Sequence, residues 1–122
     1  MKLTLLAPSF SVIQVERIDP SILKIVPLFF AHTSEELSLV LPTAKVPAET
    51  LNREDGWKAM KIIGVLDFSL IGIIAKISSL LAEESISIFA VSTFNTDYIL
   101  IKEHQVKQAR TVLTANDYSF VN

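Results

Sequence analysis

Residues 57–103 read WKAMKIIGVLDFSLIGIIAKISSLLAEESISIFAVSTFNTDYILIKE, and the pattern of this stretch decides the fold. It opens with a strand-like run and passes through a turn that carries Asp67, Ser69 and Gly72. Residues with helical spacing follow, then a strand-like run that ends in STFNTD at residues 92–97 and a return strand. The order strand, helix, strand, strand indicates a mixed α/β fold.

The helix after the turn has the clearest periodicity in the chain. Its apolar residues share one stripe, formed by Leu70, Ile73, Ile74, Ile77, Leu80 and Leu81. Lys76, Ser79 and Glu83 fall on the opposite side. This spacing predicts an amphipathic helix over residues 70–84, with its apolar side in the core.

The remaining residues of the C-terminal half extend this order. We expect strands at residues 57–63, 86–93, 98–102 and 118–121, and helices at residues 70–84 and 103–115. A weaker stripe of Val106, Ala109 and Leu113 supports the second helix. The resulting βαββαβ order predicts a ferredoxin-like α+β sandwich, with both helices on one face of a four-stranded antiparallel sheet.

The N-terminal third favours strands over helices. Residues 3–6 and 11–16 favour strands, and Ala7-Pro8-Ser9 predicts a turn or bulge between them. Asp19-Pro20 predicts a cap followed by a short helical turn. Residues 28–33 and 37–41 predict a hairpin. The polar residues 42–56 then read as a connector, so we expect two subdomains, at residues 1–50 and 57–122.

Composition limits the class of protein. The chain has 122 residues, half of them hydrophobic, no Cys and a net charge of −2, with a mean hydropathy of +0.45. Strands 86–93 and 98–102 are apolar on both faces, and two helices cover only one, so the other face is covered by the N-terminal strands, by a second copy of the chain or by both. The high hydropathy leaves apolar surface on a monomer, so we expect at least a homodimer. The charge predicts no nucleic-acid or membrane partner, and the absence of cysteine favours the cytoplasm.

Nothing in the chain has the pattern of a catalytic centre, cofactor site or metal site. His32 and His104 are the two histidines, and neither has metal-ligand spacing. Nucleophile-elbow, P-loop and dinucleotide-binding motifs are missing from the sequence, and its paired carboxylates are adjacent, so they diverge. We therefore expect no enzyme, no cofactor and no metal.

The turn before the first helix is a candidate ligand site. Ser69 suits the N-cap, which leaves backbone N–H groups at Leu70, Ile71 and Gly72 to bind a carboxylate at the positive end of the helix. Gly72 in a first helical turn costs about 0.8–1 kcal/mol relative to Ala. Close approach of a ligand would explain this glycine, and so would tight packing of the helix on a strand.

The end of the second strand offers complementary groups. Thr93, Asn95 and Asp97 supply a hydroxyl, an amide and a carboxylate. If two sheets join edge to edge, one copy's strand end meets another copy's helix start, and the two then match a zwitterion. A hairpin turn rich in turn-forming residues is the alternative explanation for residues 92–97.

At these residues the sequence resembles the ACT domain, the small-molecule regulatory module of amino-acid metabolism. In particular it resembles a two-unit ACT family of small bacterial proteins related to the cytosolic arginine sensors of mammals. The blocks that carry the resemblance are ELSLV at 36–40, DGWK at 55–58, LDFSLIGI at 66–73, ISIFAVSTF at 86–94 and TDYILIKE at 96–103.

The resemblance implies two ACT-like units, the first of them degenerate and mostly β, that dimerise and bind an amino acid between units. Carried over by position, the helix-start contacts are Ser69, Leu70, Ile71 and Gly72, and the strand-end contacts are Thr93, Phe94 and Asp97. Asp67 in the turn and Asn95 at the strand end complete the predicted ligand site. Ile71 stands where such sequences often have Thr, and Asn95 where they often have Asp.

Three other functions compete with an amino-acid-binding regulatory module. A structural dimerisation module with a decayed ligand site is the main alternative. An enzyme on the same scaffold would need a nucleophile or an acid/base pair, which the chain does not show. A nucleic-acid binder would need basic residues beside outward-facing aromatics, and we expect no basic neighbours around Phe89 and Tyr98.

Overall fold

A computed structural model describes residues 1–63 and 72–122 of the chain. They form two compact units. The N-terminal unit is Pro8–Trp57, and the C-terminal unit combines Met1–Ala7 with Lys58–Asn122. The first seven residues therefore belong with the C-terminal half, and the sequence did not indicate this. The assignment of residues 1–50 and 57–122 to two family units stays a prediction.

Seven strands and two α-helices are present in the described part of the chain. The strands are β1 Lys2–Gln14, β2 Phe29–His32, β3 Leu37–Pro42, β4 Asn52–Ile62, β5 Phe89–Ser92, β6 Asp97–Lys102 and β7 Ser119–Phe120. The helices are α1 Ile73–Glu83 and α2 Val106–Ala115, and short 3₁₀ helices span Pro20–Lys24, Thr43–Lys45 and Glu103–Gln105. Neither α-helix is long and apolar enough to cross a membrane.

The C-terminal unit has the predicted βαββαβ order in β4, α1, β5, β6, α2 and β7. Its strands are neighbours in the order β5-β6-β4-β1, and β7 pairs in parallel with the start of β1. The sheet predicted from residues 57–122 alone is wrong, because β1 lies between β4 and β7. Backbone bonds hold it there: Ser119 N donates to Met1 O at 3.1 Å, and Val121 N donates to Leu3 O at 3.0 Å.

Apolar packing explains why this unit forms. One continuous cluster contains the fully buried residues Leu3, Met60, Ile62, Ile77, Leu81, Ile99, Ile101, Ala109 and Leu113. Ile73, Ile74 and Leu80 pack against it at partial burial. The predicted apolar stripe of α1 is thereby confirmed from Ile73 onward, while Leu70 lies outside the described residues. The stripe of α2 is confirmed as well.

The N-terminal unit contains its own core. Its strands follow the order β2-β3-β1-β4. Buried side chains of Ile13, Val15, Ile22, Leu39 and Leu41 form the cluster. The predicted Asp19 cap is confirmed, because Asp19 Oδ1 accepts from both the backbone N and the Oγ of Ser21. These two bonds lower the pKa of Asp19.

The long strands differ from the sequence predictions at two places. β1 runs without interruption through Ala7-Pro8-Ser9, so of the expected turn or bulge the turn is wrong. A strand tolerates proline at a position where its missing N–H is not needed for pairing. The carbonyl of the residue before this proline is bonded by a side chain, since Lys58 Nζ donates to Ala7 O at 2.7 Å. β4 begins at Asn52, inside the expected connector. Its first four residues are exposed, so their polar side chains are compatible with a strand.

The hairpins β2–β3 and β5–β6 repeat one another with a shift of 60 residues. Phe29 pairs with Val40 and His32 with Leu37, while Phe89 pairs with Leu100 and Ser92 with Asp97. The turns close alike: Thr33 N donates to Glu36 O at 2.9 Å, and Thr93 N donates to Thr96 O at 2.8 Å. A 3₁₀ helix follows each hairpin directly. The predicted hairpin of the N-terminal unit is confirmed.

We predict that Leu81→Ala lowers the free energy of unfolding by about 2–5 kcal/mol, because it leaves a cavity in a fully buried position. The matched control is Leu23→Ala, which removes the same atoms from a side chain that is 58% exposed. We expect the control to lower the free energy of unfolding by less than about 0.5 kcal/mol. Urea denaturation measures both, and equal losses would contradict the described core.

Candidate functional site

The predicted site residues divide into two groups. Asp67, Ser69, Leu70 and Ile71 lie outside the described residues, so their predicted contacts stay predictions. The other five are described: Gly72, Thr93, Phe94, Asn95 and Asp97.

Gly72 lies at the N-cap of α1, and as a glycine it contributes no capping side chain. We expected the cap at Ser69 and Gly72 in the first turn, but Gly72 has φ +77° and ψ 5°, a left-handed conformation that cannot continue a helix. Lys76 N donates to Gly72 O at 2.8 Å, which is the first helical bond. A Cβ on Gly72 would meet no described atom within 4 Å. The positive φ therefore favours glycine here, and close packing against the described residues does not explain it.

A cavity of about 280 Å³ opens at the start of α1. Its lining consists of Met1, Gly72, Ile73, Lys76, Asn116, Asp117 and Tyr118. We call it the helix-start cavity. Lys76 is one helical turn beyond Gly72, and residues 116–118 connect α2 to β7. In a βαββαβ unit the start of the first helix and the end of the second lie at the same end of the sheet. The topology could therefore have indicated residues 116–118, which sequence reasoning missed.

Backbone bonds fix the loop between α2 and β7. Leu113 O accepts from Asn116 N at 3.0 Å and from Tyr118 N at 3.1 Å. Asn116 Nδ2 donates to Val112 O at 2.8 Å, which leaves its Oδ1 as an acceptor. Asp117 has φ +71°, a left-handed conformation that Asp tolerates better than most residues. This side of the cavity therefore presents oxygen acceptors.

The strand-end group lies on the β5–β6 turn, residues 93–96, and at the start of β6. Thr93 Oγ1 donates to Thr96 O at 2.9 Å and accepts from Thr96 N at 3.3 Å. The Thr93 hydroxyl therefore closes the turn, in line with the hairpin explanation given for this segment. Phe94 is 79% exposed. The side chains of Asn95 and Asp97 form no hydrogen bond or ion pair with the described residues.

Thr96 attaches this turn to β4. It is 4% exposed, and its Oγ1 donates to Ile62 O at 2.8 Å. Ile62 is the last residue of β4, the strand that leads into residues 64–71. The turn with the strand-end group is thus fixed to the strand that precedes the segment with Asp67 and Ser69. Sequence reasoning did not single out Thr96.

The strand-end residues do not line the helix-start cavity. Among the described residues, therefore, the structure does not bring Gly72 and Asp97 into one cavity of a single chain. Lys61 Nζ lies 5.9 Å from the ring centroid of Tyr98, so the expectation that Tyr98 has no basic neighbour is wrong. Within residues 1–63 and 72–122, no group of three or more His, Asp or Glu side chains is arranged to hold a metal ion.

Comparison with known proteins identifies the family. A model of the ACT domain matches residues 52–115, more than half of the chain. No curated protein matches significantly. The chain belongs to the ACT domain family. ACT domains are regulatory, non-catalytic modules, and the resemblance predicted from the sequence is confirmed.

Solved structures share the fold over nearly the whole chain. A crystal structure of an Agobacterium tumefaciens protein has a TM-score of 0.88 and 25% identity, and the match covers 98% of this chain and 91% of that one. A Vibrio cholerae protein, described as a possible transport protein, has a TM-score of 0.73 and 20% identity, over 93% and 88%. The regulatory subunit of aspartate kinase from Thermus thermophilus has a TM-score of 0.60 and 10% identity, over 93% and 95%.

We predict that Thr96→Val lowers the free energy of unfolding by about 1–3 kcal/mol, because it removes a buried donor from Ile62 O. Thr114→Val, the same change at an exposed helical position, should alter it by less than about 0.5 kcal/mol. Thermal or urea unfolding compares the two. If the variants were equally stable, the turn would not depend on this hydrogen bond.

Proposed function

We propose that the protein is a non-enzymatic, cytoplasmic regulatory module that binds an amino acid between ACT units and works as at least a homodimer. Membership of the ACT family supports a regulatory, small-molecule-binding role. The similarity to a regulatory subunit of aspartate kinase supports it further at the level of the fold.

The observation that carries the proposal is the glycine N-cap at the start of α1. The first N–H groups of a helix have no acceptor within the helix, and Gly72 provides no side chain to satisfy them. They lie at the positive end of the helix dipole and beside a cavity. Backbone N–H groups in this arrangement bind carboxylates. The carboxylate of an amino acid is the corresponding ligand group.

Asp97 supplies a complementary charge for the ammonium group. Its side chain forms no ion pair with the described residues, and it opens β6 opposite Ser92. β5 is the last strand in the order of the described sheet, so it is an edge strand. Pairing of this strand with a second copy would bring the strand-end group to another unit, and the exposed Phe94 ring would gain apolar contact there.

We also propose that the N-terminal unit is a degenerate ACT-like unit. The strand order β2-β3-β1-β4 corresponds to β5-β6-β4-β1 in the other unit. The repeat of the hairpins at a shift of 60 residues supports the same origin for both. The 3₁₀ helix Pro20–Lys24 then takes the place of α1, and Thr43–Lys45 matches the 3₁₀ helix Glu103–Gln105, without a helix after it that corresponds to α2.

Regulation would follow from the position of the ligand between units. A ligand that contacts two units stabilises the packing in which both contacts form. The ligand shifts the equilibrium between two packings by no more than the difference between its binding free energies for them.

We predict that one or more of the twenty amino acids raises the melting temperature. At about 100 times its dissociation constant, a ligand adds about 2.7 kcal/mol to the free energy of unfolding. Asp97→Asn should weaken that ligand about tenfold or more, because it removes a charge-assisted hydrogen bond. Glu83→Gln, an exposed change on α1, is the control.

A response to no amino acid would favour the alternative, a structural dimerisation module whose ligand site has decayed. The use of the Thr93 hydroxyl to close its own turn is the observation in favour of that alternative.

We predict that Phe94→Glu weakens self-association, because it places a charge beside the edge strand β5. Val26→Glu changes a comparably exposed side chain of the N-terminal unit and should have no effect; Val26 is 86% exposed and Phe94 is 79% exposed. Light scattering coupled to size exclusion, over a series of protein concentrations, measures the subunit count. Equal behaviour of the two variants would place the interface away from β5.

A further inference from the structure

The outer side of β2 presents backbone groups to a further strand. β2 is the first strand in the order of the described sheet, so within the described residues no strand lies on its outer side. Thr33 N donates to Glu36 O, and bonded pairs alternate along an antiparallel ladder, so Ala31 is the next residue of β2 that bonds to β3. The N–H and C=O groups of Phe30 and His32 therefore point away from β3.

This edge lacks the features that usually protect an edge strand. Residues 28–33 read LFFAHT, without Asp, Glu, Lys, Arg or Pro. The register of β2 against β3 is regular, so no bulge turns the edge away. Phe30 is 56% exposed, and Ala31 and His32 are exposed as well. An exposed edge with these properties is a template for pairing with another strand.

The outward row of β2 is complementary to itself. When two copies of β2 run antiparallel with Ala31 opposite Ala31, Phe30 of each copy stands opposite His32 of the other. Phe30 and His32 are the residues with outward backbone groups, so this register forms four N–H···O=C bonds between the copies. Ala31 lies on the twofold axis in a non-hydrogen-bonded pair, where two strands approach each other most closely and a small side chain fits.

The side chains favour a second β2 over β5 as the partner. β5 has the same outward pattern at Ala90 and Ser92, because Thr93 N donates to Thr96 O. Against β5, Phe30 would stand opposite Ser92 and His32 opposite Ala90. Against β2, each Phe30 ring stands opposite an imidazole, and a cross-strand pair of two rings stabilises a ladder more than a ring beside a small residue does. Residues 28–34 carry no Asp, Glu, Lys or Arg, so the paired copies bring no like charges together.

We propose that β2 is an interface between two copies of the chain, in which β2 pairs with β2 in an antiparallel ladder centred on Ala31. The partner that this edge fits is therefore a second copy. The inference does not rest on the proposed function, because the contact needs no ligand and lies on a different strand from β5. Val26 precedes β2 by three residues and lies outside the paired residues.

Disulfide cross-linking tests the register, because the chain has no cysteine of its own. Two residues in a non-hydrogen-bonded pair have Cα atoms about 4.5 Å apart, within the range that a disulfide spans. Ala31→Cys should therefore form a covalent dimer under mild oxidation at least tenfold faster than Ala44→Cys, the same change at an exposed position of the same unit. Equal rates would overturn the proposal.

A mixture of Ala31→Cys and Val91→Cys chains tests β5 as the partner, because Ala31 would stand opposite Val91 in that pairing. A cross-link that forms in this mixture and not with Ala31→Cys alone would show that β2 pairs with β5 of another copy, and the proposal would be wrong. Neither result depends on an amino acid, so failure here leaves the proposed function standing.

A charge on the edge provides a second measurement. Both variants are made in chains that also carry Phe94→Glu, so that contacts at β5 are weakened equally. Phe30→Glu should raise the dissociation constant of the assembly tenfold or more in analytical ultracentrifugation. Leu23→Glu changes a side chain of nearly equal exposure, 58% against 56%, and should leave the constant within twofold. If the two variants associate equally well, β2 is not an interface.

Discussion

The C-terminal unit depends on the pairing of the first residues of the chain with its last strand. Leu3 is fully buried in the apolar cluster, and backbone bonds join Met1 to Ser119 and Leu3 to Val121. This pairing places β7 beside β1, so the loop that precedes β7 is fixed next to Met1. Tyr118 belongs to that loop. The geometry of the helix-start cavity is therefore set by residues more than 110 positions apart in the chain.

Local sequence patterns were sufficient to predict most of the helices and strands. The stripe of α1 and the alternation in the hairpins follow from a repeat of apolar residues, and burial in the structure agrees with them. The failures arose where long-range pairing overrides local preference. Pro8 is a breaker by its own chemistry, and the polar residues from Asn52 look like a connector, yet both lie in long strands. The place of β1 beside β7 has no local signal at all.

The candidate site was predictable only where it coincides with a local motif. Gly72 stood out because glycine is costly in a helix, but its position at the cap depends on a positive φ that composition does not reveal. Thr93 and Asp97 were found from their residue types. The sequence pattern predicts only the start of a strand at Tyr118, since a single aromatic residue next to Asn-Asp carries no sign of a cavity.

The repeated hairpins differ in one chemically important position. Leu37 occupies the place in the first hairpin that Asp97 occupies in the second. A methyl-bearing side chain cannot neutralise an amine, so the two halves of the chain are not equivalent as receptors. Under the proposed function, the acid that recognises the ligand therefore belongs to the second hairpin alone. A ligand that relies on this acid is consequently bound once for every polypeptide, however many subunits assemble.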